Sequence, residues 1–160
     1  MLDETFTIRQ ATSADLATIV THRRRMFEDM GYTNNPVGIQ AMDAIGAEWL
    51  RERLMNGRYL GWFAVTAGGE IAAGAGLWLQ DWPPNLFDQQ PYRGYILNVY
   101  TEPDYRRRGL ARTLVQTINT WCAQQGMITV GLHASPQGRP IYEALGFVPT
   151  NEMRLIITGE

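Results

Sequence analysis

The sequence predicts an α/β domain with an antiparallel hairpin early and a strand–helix–strand unit late. Three observations predict it. Runs with period-two and with helical apolar spacing alternate along the chain. Two strand-like runs, YLGWFAVTA at 59–67 and EIAAGAGLWLQ at 70–80, meet at Gly68-Gly69, and paired glycines accept the positive φ of a tight hairpin turn. GYILNVYT at 94–101 precedes a glycine-bearing helix start, and TVGLHA at 129–134 follows that helix.

In order, TFTIRQA (5–11) alternates like a short strand, with Phe6 and Ile8 on one face. Ser13 reads as a helix N-cap with Asp15 in the first turn. Leu16, Ile19, Val20, Phe27 and Met30 then recur at helical spacing until Gly31. GYTNNPVG (31–38) is a loop by its Asn, Gly and Pro content. A second helix is predicted from about Ile39 to Met55, with Met42, Ile45, Trp49 and Leu50 on its inner face. After the hairpin, two prolines make DWPPNLFDQQP (81–91) a loop. The helix that follows strand 94–101 carries Leu110, Leu114, Val115, Ile118 and Cys122 on one face and stops at Gly126. IYEALGF (141–147) is a short helix with its exit, and NEMRLIIT (151–158) a final strand.

The chain has 160 residues, 45% hydrophobic and 19% charged, which suits one compact core, so 1–160 is read as a single domain. Fourteen basic residues face 16 acidic ones for a net charge of −2, and no global field draws the protein to nucleic acid. The lone Cys122 excludes an intrachain disulfide and a Cys-rich metal site, and no metal is expected. MLDETFTIRQ lacks the basic-then-apolar layout of a signal peptide. The longest apolar run, IAAGAGLWL at 71–79, falls short of the ~18 residues of a membrane span. A cytoplasmic protein without a membrane partner is expected.

The chemistry concentrates in YRRRGLARTL (105–114), where three arginines precede a glycine at a helix start. The first N–H groups of a helix lack intrahelical partners, and the helix dipole is positive there. Gly109 and the small Ala111 would let an anion approach those groups, and Arg106, Arg107 and Arg108 add charge complementarity. GxxxxGK[ST] and GxGxxG are both absent, which excludes a nucleoside-triphosphate P-loop and the dinucleotide fingerprint.

What the stretch does match is Arg/Gln-x-x-Gly-x-Gly/Ala, here Arg106 to Ala111. With LNVYTEPDY before it, an amphipathic helix after it and HASPQGRPIYEALGF beyond, it resembles the GNAT superfamily of acetyl-CoA-dependent N-acetyltransferases. The resemblance is close over 94–149. It implies a mixed, mostly antiparallel central sheet flanked by helices and splayed between the strands at 94–101 and 129–134. It implies acetyl-CoA as the acyl donor, its pyrophosphate cradled by backbone N–H groups of Arg107, Gly109, Ala111 and Arg112. Val99 and Thr101 would pair with the pantetheine arm as an added strand. Tyr142 would serve as general acid to the departing thiolate. Ser135 stands where many members have asparagine; it contacts the cofactor or only caps the next helix. A small-molecule or peptide amine would attack the thioester directly, and the general base is unassigned, because the strand carries Tyr95, Asn98 and Tyr100 and Glu102 only follows its end.

Other readings stand beside these. The same fold could be a non-catalytic acyl-CoA sensor, and the arginines at 23–25 and 106–108 could contact nucleic acid, against which the net charge argues. Tyr142 could be a core aromatic with its hydroxyl on a backbone carbonyl. Cys122 lies on the apolar stripe and reads as core. His133 reads as a structural or surface histidine, or as a proton relay. Arg23, on the apolar stripe of the first helix, either snorkels to water or faces an acceptor groove. The aromatic loop from Trp78 through Trp82 to Phe87 could line an acceptor pocket, with Asp81 attracting a cationic amine, or serve packing or a homodimer contact.

Overall fold

The computed structural model describes residues 5–158. The first four residues of the MLDETFTIRQ stretch lie outside that range. The chain runs β1 (Phe6–Gln10), a 3₁₀ turn (Ser13–Asp15), α1 (Leu16–Asp29), α2 (Pro36–Met55), β2 (Tyr59–Thr66), β3 (Ile71–Asp81) and β4 (Tyr92–Thr101). A second 3₁₀ turn (Pro103–Tyr105), α3 (Leu110–Gln124), β5 (Val130–Leu132) and α4 (Arg139–Ala144) follow.

The five strands form one sheet in chain order, β1 to β5. The first four are antiparallel to their neighbours, and β5 is parallel to β4. The hairpin lies where the glycines put it: Gly69 takes φ +90°, and Thr66 N–H closes the turn on the Glu70 carbonyl at 2.9 Å. The parallel β5 needs a crossover, which α3 supplies.

Helices cover both faces of this sheet. On one, Leu114, Val115, Ile118 and Cys122 of α3 are buried against Ala73, Leu77 and Ile96. On the other, Ile19 of α1 and Leu50 of α2 pack with Tyr59 and Phe63. Each large side chain fully buried in this way contributes about 1.5–3 kcal/mol. Trp49, Trp78 and Tyr95 extend the second core through edge contacts, with ring centroids at 5.2 and 6.3 Å.

Three sequence expectations are corrected. Thr12, not Ser13, caps the first turn; its Oγ1 accepts from Ala14 N–H at 3.3 Å, while Asp15 reaches back to Thr12 N–H at 2.8 Å as a capping box. Ile45 is exposed, because the face of α2 that packs on the sheet is the one with Trp49, Leu50 and Leu54; the helix itself starts at Pro36 rather than Ile39. The run 151–158 is not a strand: it is exposed, and it has no ladder partner among the described residues. Its residues have strand propensity, but a strand exists only through hydrogen bonds to a neighbour.

Candidate active site

Two features of the backbone shape the end of β4. Its parallel ladder with β5 holds Gly94, Tyr95 and Ile96 against Val130, Gly131 and Leu132, then stops. Beyond Ile96, β4 continues with β3 alone, so the sheet forks there. Just past the fork β4 bulges. Leu97 faces Gly76 and Tyr100 faces Gly74, which leaves one more residue on β4 than on β3. The extra length is absorbed at Asn98, whose φ of +56° is in the left-handed region that Asn tolerates better than most residues.

The bulge turns Asn98 into the α1 side of the sheet. There its Nδ2 donates to Tyr59 Oη at 3.0 Å and its Oδ1 accepts from Arg23 Nη1 at 2.7 Å. The glycines of AAGAG make room for this network: a Cβ on Gly76 would stand 2.0 Å from Tyr59 Oη, and one on Gly74 2.9 Å from the Phe63 ring. Burial pushes the Tyr59 phenol up to about 12, partly opposed by Asn98 and Arg23, so it is neutral at physiological pH. Beside it, His22 is buried, its Nε2 3.4 Å from Glu102 Oε1, and Glu102 also accepts from Arg25 at 2.7 Å. Desolvation lowers the His22 pKa, with Glu102 opposing and Arg25 assisting. Thr18, Thr21, His22, Arg25 and Glu102 line a groove of about 290 Å³.

Beyond β4 the chain makes the turn into α3. Arg107 has φ +65° and Gly109 φ +76°, an alternation that points successive N–H groups into one concavity. Thr113 N–H is already bonded to the Gly109 carbonyl at 3.1 Å, but the N–H groups of Arg107, Gly109, Ala111 and Arg112 have no backbone acceptor among the described residues. A Cβ on Gly109 would meet no protein atom within 4 Å. The glycine therefore serves the backbone conformation and the open space above it, not packing. This cradle fits a pyrophosphate.

The arginines divide in a way their sequence hid. Arg106 turns back from the cradle: Nε donates to the Thr101 carbonyl at 2.9 Å, and Nη2 pairs with Asp29 of α1 at 2.5 Å. It braces the end of β4, and the Thr101 carbonyl, expected to pair with pantetheine, already accepts one hydrogen bond from it. Arg108 donates to the Asp104 carbonyl at 3.3 Å. Arg107 and Arg112 are exposed and have no carboxylate within 4 Å among the described residues. Val99 falls outside the register of β3, within the bulge.

Tyr142 of α4 is buried beside Phe147, ring centroids 5.9 Å apart. Its hydroxyl makes no hydrogen bond among the described residues, so no backbone carbonyl holds it. Burial raises its pKa, which keeps it a donor. Ser135 caps the approach to α4, its Oγ accepting from Gly138 N–H at 3.1 Å. His133 is exposed, and its Nδ1 meets Tyr95 Oη. Cys122 is buried and its thiol pushed up to about 11, as a core residue should be. Asp81 pairs with Arg58 at 3.4 Å and stands opposite Tyr92, six residues up β4 from Asn98, or about 20 Å at ~3.4 Å per residue. Phe87 is exposed, and Trp82 stacks under Arg93 at 3.6 Å.

A sheet forked after its fourth strand, a bulge at the fork and an anion cradle at the next helix occur together here. The sequence model of the acetyltransferase (GNAT) family matches residues 20–147. The chain belongs to the GNAT acetyltransferase family. It is thus an acyltransferase of a family that uses acetyl-CoA. A GCN5-related N-acetyltransferase from Ralstonia eutropha superposes with a TM-score of 0.88 at 35% identity, covering 97% of this chain and 100% of that one. A protein from Clostridium acetobutylicum, described as a predicted acetyltransferase and solved with acetyl-CoA, gives 0.86 at 27% identity over 96% of each chain. Glucosamine-6-phosphate N-acetyltransferase from Arabidopsis thaliana shares the fold, with a TM-score of 0.68 at 18% identity over 98% of this chain and 100% of that one. A search of curated proteins finds no match.

In this GNAT chain, the Arg23–Asn98–Tyr59 network escaped sequence reasoning. An asparagine amid β-branched and aromatic residues was the available signal, since Asn is depleted in strands and enriched at positive φ.

Proposed function

We propose that this GNAT protein transfers an acetyl group from acetyl-CoA to a primary amine. The observation that carries the reading is the N–H groups of Arg107, Gly109, Ala111 and Arg112, without a backbone acceptor among the described residues, beside the fork of β4 and β5. The backbone of Arg107, Gly109, Ala111 and Arg112 would hold the pyrophosphate, with the Arg107 and Arg112 side chains adding charge. Val99, outside the β3 ladder, offers its backbone to the pantetheine arm. Acetyl-CoA supplies the acetyl group as a thioester. In the transfer a C–N bond forms and the C–S bond breaks. The amine arrives neutral, its proton having passed to water or a basic group; after attack the nitrogen loses a second proton to solvent, Tyr142 donates a proton toward the thiolate that leaves, and solvent restores the phenol. A backbone N–H at the fork stabilises charge on the carbonyl oxygen. The protein acts in the cytoplasm, where its one unpaired thiol stays reduced.

Free thiol release from acetyl-CoA, measured over a panel of amines, tests this. Amine-dependent release is expected; tight acetyl-CoA binding with no transfer to any amine would favour the non-catalytic sensor.

The protein partner in this reading is a second copy of the chain. Met153, Leu155, Ile156 and Ile157 are 93, 83, 73 and 87% exposed, on a run without a ladder partner. The outer edge of β5 has no neighbouring strand among the described residues. Each chain thus carries an exposed apolar run with strand propensity and a free edge, and a two-fold pair would satisfy both at once.

A further inference from the structure

We propose that the acceptor amine also carries an oxyanion, carboxylate or phosphate, and that Arg23 binds that oxyanion beside the fork. The inference rests on the acetyl-transfer reading above and adds the substrate class to it.

Three consecutive arginines leave α1, and two are neutralised. Arg24 pairs with Asp43 at 2.7 Å and Arg25 with Glu102 at 2.7 Å. Arg23, between them, is half-buried and has no carboxylate within 4 Å among the described residues. Its partners are the neutral amide of Asn98 at 2.7 Å and the face of Phe27, 5.3 Å from the guanidinium carbon. The phenol near it supplies no negative charge, since Tyr59 is pushed up to about 12 and stays neutral. Burial accordingly disfavours the Arg23 charge and lowers its pKa.

A half-buried cation without a counter-ion is costly, and its position suggests what relieves it. One nitrogen is fixed on Asn98, two residues past the last β4–β5 pair, Ile96–Leu132. No buried side-chain nitrogen among the described residues lacks a partner, so the donors Arg23 does not use on Asn98 reach solvent. A planar fork of donors held at one end and open at the other suits a carboxylate or phosphate oxygen pair. The Asn98 bond fixes that fork in advance, so little side-chain freedom is lost on binding. An oxyanion there places an amine a few bonds away at the fork. The same charge repels polycationic acceptors, and the one carboxylate considered for attracting them, Asp81, is paired with Arg58 and remote from the fork.

The test uses the full chain and matched acceptors: amino acids against their carboxamides, phosphoethanolamine against ethanolamine, and spermidine. Thiol release gives kcat/KM, and calorimetry gives acceptor binding in the absence of donor. Coenzyme A affinity, measured in parallel, reports separately on the donor reading. At least tenfold preference for one anionic class over its neutral match is expected, and the two pairs tell carboxylate from phosphate. Arg23→Gln should collapse that ratio toward one, chiefly through KM, whereas Arg23→Lys should keep part of it. Equal or better use of neutral or polycationic amines by the wild type overturns the proposal. So does an anion preference that survives Arg23→Gln, or failure of every anionic amine to bind while coenzyme A does. If Arg23→Gln does not fold, the wild-type ratio and the Arg23→Lys variant still decide.

Discussion

Arg23 Nη1 donates to Asn98 Oδ1 at 2.7 Å, which ties α1 to β4 two residues past the point where β4 parts from β5. The bond spans 75 positions of sequence and exists only because β4 bulges and turns Asn98 toward the helix. The turn into α3 lies at the end of the same strand, so one irregular segment aligns an anion cradle, an open sheet edge and a half-buried cation.

The cradle makes the first prediction. Gly109→Val places a branched side chain at φ +76°, in space no protein atom fills. The left-handed conformation costs the fold roughly 1–2 kcal/mol, which a well-buried α3 should survive. Coenzyme A affinity should fall more than tenfold, a loss above about 1.4 kcal/mol, because the added carbons occupy the path to the N–H groups. Calorimetry with circular dichroism checks both; unchanged affinity in a folded variant would remove the cradle from the site.

Tyr142 gives the second. Its hydroxyl has no partner among the described residues, so Tyr142→Phe breaks no hydrogen bond in the fold and leaves the ring against Phe147. Stability and coenzyme A affinity should hardly change, while kcat falls by roughly 10²–10⁴, the usual worth of one positioned acid. A kcat within threefold of wild type, with chemistry limiting, would return Tyr142 to a packing role.

His22 sets the third, on pH. Its folded pKa lies below the ordinary 6.5, with desolvation the leading cause. As pH falls below 6.5 the unfolded chain takes up this proton before the folded one does, so stability decreases with acidification until the folded group also protonates. Above 6.5 both states are neutral and the contribution is flat. Urea unfolding of the wild type and His22→Gln between pH 7.5 and pH 5 should show the shallower slope in the variant. Parallel slopes would mean other groups set the acid response.

Solution mass provides the fourth. Light scattering should find two chains per particle, and a chain ending at Thr150 should be monomeric, since it lacks the apolar run proposed to close the β5 edge. A monomeric full-length chain contradicts the pairing.

Much of the fold was legible because it rests on local chemistry. Apolar spacing over Leu110 to Cys122 marks a helix face wherever the helix packs, and Gly68-Gly69 marks a turn whatever it joins. The turn into α3 was legible for the same reason: Gly109 takes a positive φ that glycine adopts at no steric cost. Charge assignment was not local. Arg106 reads in sequence as a phosphate ligand, yet Asp29, 77 positions away, draws it back to α1, while Arg23 is left without a carboxylate between two paired neighbours. Ile45 is exposed and the strand at 151–158 lacks a partner for related reasons. A helix's inner face and a strand's existence depend on what the rest of the chain brings alongside. Sequence alone determined most of the helices and strands, the hairpin and the glycine-bearing turn before α3, whose causes lie within a few residues. Tertiary structure decided which arginines are paired with carboxylates, where the sheet opens and that Asn98 stands at the fork, because ion pairs, ladders and bulges are made between distant segments.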